Sequence, residues 1–214
     1  MQFNKQVKAC QIFGWELAIR GMRNPKNSWN LTDTVLDYKG NLIELGPNDK
    51  RLMDALILGG SEHRKFLRMI HVQLELNLTR KIWSEFDTYK FVEKNSTSTM
   101  HKLLQKNTPI TRDLFCETEF EEVEEVINTA VKNLEKLRLK YFETKNGVER
   151  NKILEAAKDA LPESFLQLRI VDTNYEELFN IYKQRKNHRL SEWRQFCAWL
   201  EDNIPYFKEL FIND

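Results

Sequence analysis

Cationic side chains concentrate in one short stretch near the C-terminus, residues 184–189, which reads QRKNHR. Arg185, Lys186, His188 and Arg189 lie within about one turn if the stretch is helical. Guanidinium groups suit phosphate, because their N–H donors form a planar fork that matches its oxygens. A basic helix end in solvent, favoured by the helix dipole, explains the same residues equally well. The stretch is therefore either an anion site or a solvated helix terminus.

Three further stretches carry polar groups that suit a ligand. Residues 95–99, NSTST, offer an amide and hydroxyls without a base beside a nucleophile, which favours hydrogen bonding over covalent chemistry; a surface loop is the alternative. The stretch GGSEHRKF presents Glu62 and His63 on a glycine-loosened turn, or is a helix break with exposed charges. The stretch GWELAIRGMRNPKNSW either contacts a planar ligand or anchors the N-terminal segment.

Other kinds of site are not indicated by the sequence. It contains no glycine-rich phosphate loop, no GxSxG nucleophile motif and no CxxC pair. Cys10, Cys116 and Cys197 lie far apart, and the four histidines form no HxH or HxxxH pair. We therefore expect reduced, structural thiols and no metal site.

Composition indicates a globular domain. The 214 residues are 41% hydrophobic and 30% charged, with a formal net charge of +1, which gives no electrostatic case for non-specific nucleic-acid binding. No apolar run approaches the roughly 18 residues of a membrane helix, and the N-terminus lacks the apolar core of a signal peptide. No repeat or linker divides the sequence, so we expect one domain over residues 1–214, located in the cytoplasm.

Hydrophobic periodicity predicts the elements that would position these groups. Apolar residues alternate with polar ones over residues 69–76, as in a half-buried strand, at Ile70, Val72, Leu74 and Leu76. A long helix over residues 119–142 is predicted by apolar residues at three- and four-residue spacing, namely Phe120, Val123, Ile127, Ala130, Leu134, Leu137 and Tyr141.

Turn and cap residues predict the remaining elements. Residues 31–48 carry Gly40 and Gly46-Pro47 and suit a hairpin or an ordered loop. A helix capped by Asn48 or Asp49 should reach about Gly59, with Leu52, Ala55, Leu56 and Ile57 on its apolar face. Helices are also predicted over residues 148–160, from Asn174 onward, and from Ser191 to a break at Pro205.

In this order, these pieces resemble the flavin-dependent thymidylate synthase family. That family carries Glu-His, a strand, a Ser-Arg-type helix start, an Arg-His-Arg triplet, and an Asn and a Ser after it. Here they correspond to Glu62-His63, the strand at 69–76, and Thr79-Arg80. A gapless count from Arg80 puts the triplet on Thr88-Tyr89-Lys90 and the later pair on Asn95 and Ser98.

The second half of the family pattern also follows in register. The family has a helix ending Leu-Pro, then twelve positions to an Asn that opens a segment like NLRSLMNFLxLR. This chain has Leu161-Pro162 and then NYEELFNIYKQR from Asn174, again twelve positions after the proline. Asn180 and Arg185 then match the family's flavin-contacting Asn and pyrimidine-binding Arg. The resemblance covers roughly residues 50–190.

The resemblance implies an α+β fold, helix-rich around a small central sheet, and a site that binds FAD and a pyrimidine nucleotide. It implies that Arg185 is catalytic by polarising the pyrimidine, which it also binds. It further implies substrate contacts by Arg80, Glu85, Asn95 and Ser98, and cofactor contacts by His63, Lys90 and Asn180. Family sites form between subunits, so we expect a homo-oligomer, with a tetramer among the candidates.

The sequence departs from the family at several of these positions. The triplet is Thr88-Tyr89-Lys90, Glu85 stands at a family Gln, Met100 at a phosphate-contacting Arg, and Glu176 at another Arg. Two hypotheses follow: a divergent flavin-dependent enzyme acting on a pyrimidine nucleotide by transfer of a one-carbon unit or hydride, or a catalytically inactive relative that binds nucleotides or proteins.

Overall fold

The structure is a computed structural model that describes residues 3–212. This part of the chain divides into two compact units. Unit 1 contains residues 3–76, 89–94 and 170–212, and unit 2 contains residues 77–88 and 95–169.

The main sheet has the strand order β1-β4-β6-β5. Its strands are β1 (Val7–Phe13), β4 (His71–Thr79), β5 (Glu93–Ser96) and β6 (Leu166–Asn174). Strand β1 pairs antiparallel with β4, with Phe13 opposite His71 and Cys10 opposite Leu74. On β4, Val72, Leu74 and Leu76 are buried and the residues between them are half-buried. The predicted strand is therefore confirmed, and it continues three residues further.

A second, two-stranded sheet lies in unit 1. Strands β2 (Val35–Leu36) and β3 (Leu42–Glu44) pair antiparallel, which confirms a hairpin within residues 31–48. The helices are α1 (Trp15–Arg23), α2 (Pro47–Leu58), α3 (Arg80–Phe86), α4 (Thr99–Lys102), α5 (Glu121–Glu143), α6 (Gly147–Asp159), α7 (Tyr175–Arg185), α8 (Ser191–Asn203) and α9 (Phe207–Phe211). The helix-rich α+β class predicted from the sequence is confirmed.

The core of unit 1 is rich in large aromatic side chains. Trp15, Tyr175, Trp193 and Phe207 are almost wholly buried, and Trp15 packs edge-on against Tyr175 with ring centroids 5.2 Å apart. The chain turns from β1 into α1 at Gly14, whose φ of 94° favours glycine and where a Cβ would clash with the carbonyl oxygen of Met69.

The core of unit 2 is formed mainly by α5 and α6. Ile127 and Leu134 of α5 are buried together with Ile153 and Ala157 of α6. The predicted helix over residues 119–142 is confirmed, but its apolar face is shorter than predicted. Phe120 precedes α5 and is 61% exposed, and Val123 is 42% exposed.

Two predictions for α2 are wrong. Its N-cap is Gly46 rather than Asn48 or Asp49, since both of those residues lie inside the helix and Asp33 accepts hydrogen bonds from their backbone N–H groups, at 2.8 and 3.0 Å. The buried positions of α2 are Asp49 and Met53, whereas Ala55 is exposed. The predicted end of the helix is confirmed, with Gly59 as its C-cap.

Candidate functional site

Arg185 lies at the C-terminal end of α7, in a cluster of aromatic and polar side chains of unit 1. Its Nε–H donates to the hydroxyl oxygen of Tyr89 at 2.8 Å, and its Nη1 lies 3.0 Å from Nε2 of His188. The guanidinium carbon is 4.6 Å from the ring centroid of Trp193 and 5.6 Å from that of Tyr89. The ring centroids of Tyr89 and Trp193 are 6.2 Å apart, so the cation lies beside both rings and is held in one orientation by them and by the Tyr89 hydroxyl.

Tyr89 takes part in this cluster as a neutral phenol. Burial raises the pKa of its hydroxyl, and that hydroxyl donates to Oε1 of Gln184 at 3.1 Å while it accepts from Arg185. Tyr89 stands where the family triplet has histidine. Its hydroxyl accepts from Arg185 without bringing a second positive charge.

Helix α7 fixes the position of Arg185 through its N-cap and its buried face. The side chain of Asn174 accepts from the backbone N–H of Glu177 at 3.0 Å, which satisfies one free donor of the first turn. Leu178, Ile181 and Tyr182 are buried, and the helix predicted from Asn174 onward is confirmed. In the basic stretch at residues 184–189, Arg185 is the last residue of the helix. The other cationic residues of the stretch come after the end of α7.

The three predicted cofactor residues are on unit 1. His63 lies in the turn after α2, with a side chain 56% exposed and Nε2 3.9 Å from Oε1 of Glu62. Lys90 is exposed, and Asn180 is half-buried on α7, with Nδ2 3.4 Å from Oε2 of Glu177. Within residues 3–212, no hydrogen bond or ion pair joins these three side chains to one another or to Arg185.

Glu176 has a partner that the sequence did not indicate. Glu176 is buried, and its carboxylate accepts from Nε of Arg64 at 3.1 and 2.9 Å, one contact to each oxygen. The Arg64 guanidinium also lies 5.2 Å from the ring centroid of Phe179. The negative charge at this family arginine position is therefore neutralised within unit 1.

Two of the predicted substrate residues, Arg80 and Glu85, are on helix α3 of unit 2. Arg80 lines a polar pocket of about 200 Å³ together with Ser84, Asp87, Glu163 and Arg169. Its Nη1 donates to the carbonyl oxygen of Leu161 at 3.0 Å, and its Nη2 lies 3.9 Å from Glu163. Glu85 is half-buried on the same helix.

The second arginine of this polar pocket is also matched by a carboxylate. Nη1 of Arg169 lies 3.1 Å from Oδ1 of Asp87, and its guanidinium carbon lies 4.5 Å from the ring of Trp83. Two arginines and two acids therefore line the pocket, so the formal charges of its side chains cancel.

The other predicted substrate residues, Asn95 and Ser98, follow in the polar run of residues 95–99. Asn95 lies on β5 and is exposed, and Ser98 is half-buried immediately before α4. Close to them is a cation that the sequence analysis missed. Nζ of Lys158, near the end of α6, lies 3.0 Å from Sδ of Met100. The C-terminal end of a helix favours a cation such as Lys158. Nothing in the sequence around Lys158 indicates that Met100, 58 positions earlier, is its neighbour.

Two further properties concern the described residues as a whole. Within residues 3–212, no three or more histidine, cysteine, aspartate or glutamate side chains are grouped so that they could hold a metal ion. None of the helices in the same part of the chain is both long enough and apolar enough to cross a membrane.

Comparison with known proteins adds the fold family. Two solved structures of thymidylate synthase X (ThyX) from Helicobacter pylori, each with FAD and dUMP, are similar to this chain, with TM-scores of 0.69 and 0.68. The chain has the fold of a flavin-dependent thymidylate synthase. The likeness covers 97% of this chain and 96% and 97% of the ThyX chains, at 20% and 21% sequence identity. No protein-family model and no curated protein sequence matches the chain.

The comparison extends the likeness well beyond residues 50–190, where the sequence resemblance was located. The ThyX-like fold predicted from motif spacing is confirmed. The roles of the individual residues stay predictions, because sequence identity at this level establishes the fold alone.

Proposed function

We propose that this protein binds FAD and a pyrimidine nucleotide and acts as a divergent flavin-dependent thymidylate synthase-like enzyme. The observation that carries the proposal is the fold shared with two ThyX structures that contain FAD and dUMP, over nearly the full length of both chains. Because fold alone does not establish chemistry, the proposal also depends on the residues available to each ligand.

The residues assigned to FAD carry chemical groups that suit this cofactor. His63 and Lys90 present an exposed imidazole and an exposed ammonium, and Asn180 presents an amide. An ammonium and amide donors suit the pyrophosphate and the polar ring edge of a flavin. Glu176 does not oppose the cofactor phosphates, because Arg64 neutralises it. When bound, FAD supplies hydride chemistry.

The nucleotide is assigned to two groups of residues. Arg185 would orient and polarise the pyrimidine by donating hydrogen bonds to it, and its fixed guanidinium needs little reorganisation to do so. The resemblance also assigns Arg80, Glu85, Asn95 and Ser98 of unit 2 to the nucleotide, and Lys158 of the same unit offers a cation beside Met100. No covalent protein nucleophile is required.

The proposal is tested by titrating the purified protein with FAD and recording the flavin absorbance, then adding dUMP. We expect a spectral shift on FAD binding and a second change with dUMP. Absence of bound flavin together with no shift would refute the enzyme proposal. Arg68→Ala, which removes an exposed arginine of unit 1, is the matched control for Arg185→Ala in the dUMP titration.

A second function, that of a catalytically inactive relative, is favoured by one observation. Arg185 is already bound by Tyr89 and His188, and only Lys90 of the Thr88-Tyr89-Lys90 triplet carries a charge. Such a protein would bind a nucleotide or a protein without turnover. Growth of a thymidine-requiring strain that carries this gene would refute the second function. Nucleotide binding without flavin binding would favour it.

We also propose that the chain forms a homo-oligomer. The proposal rests on the resemblance, since family sites form between subunits. Light scattering on the purified protein should give a mass above the 25.6 kDa of one chain. A monomeric mass at micromolar concentration would contradict the proposal without bearing on whether FAD binds.

A further inference from the structure

A small apolar pocket lies in unit 2 beside the polar run of residues 97–99. Its volume is about 130 Å³. We call it the α4 pocket, after the helix on its rim. The floor is apolar and consists of Leu103, Ile110, Leu114 and Phe165, of which Leu103 and Ile110 are buried. The rim consists of residues 97–99, Lys102 and Thr108. The hydroxyl of Thr97 already donates to the carbonyl oxygen of Leu168, at 3.1 Å.

The size and lining of the α4 pocket suit a single ring. An engineered apolar cavity of about 150 Å³ lined by Leu, Ile and Phe binds benzene, and the floor of this pocket has the same residue types. The mouth is accessible, because Thr108 and Lys102 on the rim are exposed. Ligand sites in proteins commonly combine such an apolar lining with a few polar groups at one side.

The charge at the rim indicates which polar group the ligand should carry. Lys102 is the one ionisable side chain among the lining residues, and no carboxylate lines the pocket. An anionic group on the ring would meet the ammonium of Lys102 at the mouth, with no acidic side chain in the lining to oppose it. The polar pocket around Arg80 differs, because Asp87 and Glu163 line it.

We propose that the α4 pocket binds a small cyclic carboxylic acid, with the ring on the apolar floor and the carboxylate at the ammonium of Lys102. This goes beyond the proposed nucleotide site and does not depend on it. A nucleotide phosphate does not suit the floor, because Leu103, Ile110, Leu114 and Phe165 offer it no polar group. Ser98, which was assigned to the nucleotide, contributes only to the rim.

The test uses 4-fluorobenzoate as the probe, with fluorine-19 NMR on the full chain, and 4-fluorobenzyl alcohol as its uncharged counterpart. We expect saturable broadening of the acid signal. Thr108→Trp places a large side chain at the mouth from an exposed position, so it should weaken binding by about tenfold or more without disturbing the core. Leu139→Trp, at an exposed position of α5 that does not line the pocket, is the control and should bind as the wild type does.

Lys102→Gln separates the two parts of the proposal. It should weaken binding of the acid by about threefold, the range of an exposed ion pair, and leave binding of the alcohol unchanged. Absence of saturable binding, or equal binding by Thr108→Trp, would overturn the proposal. Displacement of 4-fluorobenzoate by dUMP would also overturn it, since the pocket would then belong to the nucleotide site. Equal affinity for acid and alcohol would overturn the assignment of a carboxylate.

Discussion

We expect Arg64→Met to lower the free energy of unfolding by about 3–5 kcal/mol, the usual cost of removing one partner of a buried ion pair. The side chains of Arg64 and Glu176 are 13% and 7% exposed, and Nε of Arg64 reaches both carboxylate oxygens within 3.1 Å. Methionine keeps much of the side-chain volume but lacks the guanidinium group that lies over Phe179. The dominant loss is therefore the charge and the donors that face Glu176.

The magnitude follows from what the substitution leaves behind. A carboxylate in a buried position without a cation loses most of its hydration and gains little in return. The double variant Arg64→Met/Glu176→Met removes both charges, so it should recover most of the lost stability. This recovery is what distinguishes an unpaired charge from a simple packing defect, which the second substitution would only enlarge.

The assay is urea unfolding followed by circular dichroism and intrinsic fluorescence at neutral pH. Lys208→Met is the matched control, because Lys208 and Asp202 form an ion pair whose side chains are 51% and 68% exposed. We expect no measurable change there. A loss below about 1 kcal/mol for Arg64→Met, the typical effect of an ordinary substitution, would refute the reasoning. So would a double variant less stable than Arg64→Met.

Three further predictions concern other parts of the chain. Arg23→Met should lower the free energy of unfolding by about 3–5 kcal/mol, because the side chains of Arg23 and Asp49 are 3% and 0% exposed and form an ion pair at 2.6 Å. Urea unfolding measures this loss, and an unchanged unfolding midpoint would contradict the prediction. Arg185→Ala should weaken dUMP binding by about 1.5–3 kcal/mol, the range for a hydrogen bond to a charged group, measured by calorimetry; unchanged affinity would remove Arg185 from the site. Burial raises the pKa of the Cys197 thiol to about 12. The thiol ionises at lower pH in the unfolded chain than in the folded one. The contribution of the buried thiol to the free energy of unfolding is therefore complete below pH 9 and declines as pH rises toward 12. Cys197→Ala should therefore flatten the loss of stability between pH 9 and 10.5, and an unchanged slope would contradict this reasoning.

The regular elements were predictable where one face of an element is buried and the neighbours are close in sequence. Strand β4 alternates buried and half-buried residues, and α7 buries Leu178, Ile181 and Tyr182, so each carries a periodic signal. The cap of α2 was not predictable in this way. Asp33, fifteen and sixteen positions before Asn48 and Asp49, accepts from their backbone N–H groups, and a local pattern does not contain that partner.

The same distinction between local and long-range signals holds for the candidate site. The basic stretch at residues 184–189 predicts either an anion site or a helix terminus, and Arg185 is the last residue of α7. Its partner Tyr89 lies 96 positions earlier, and the Arg64 partner of Glu176 lies 112 positions away. Sequence spacing treated Glu176 as a charge facing a ligand, whereas packing within unit 1 pairs it with an arginine. Contacts between residues so far apart in the sequence can be identified only when the fold is known.

The pairing of Tyr89 with Arg185 bears on how anions would bind. An Arg-His-Arg triplet brings at least two certain cations, whereas Thr88-Tyr89-Lys90 brings one, and Tyr89 is a neutral acceptor for Arg185. Long-range attraction for phosphate is weaker as a result, since it depends on the net local charge. The orientation of Arg185 is fixed by the Tyr89 hydroxyl and the Trp193 ring. Recognition in unit 1 should therefore depend on hydrogen bonds to a planar base more than on charge at the phosphate.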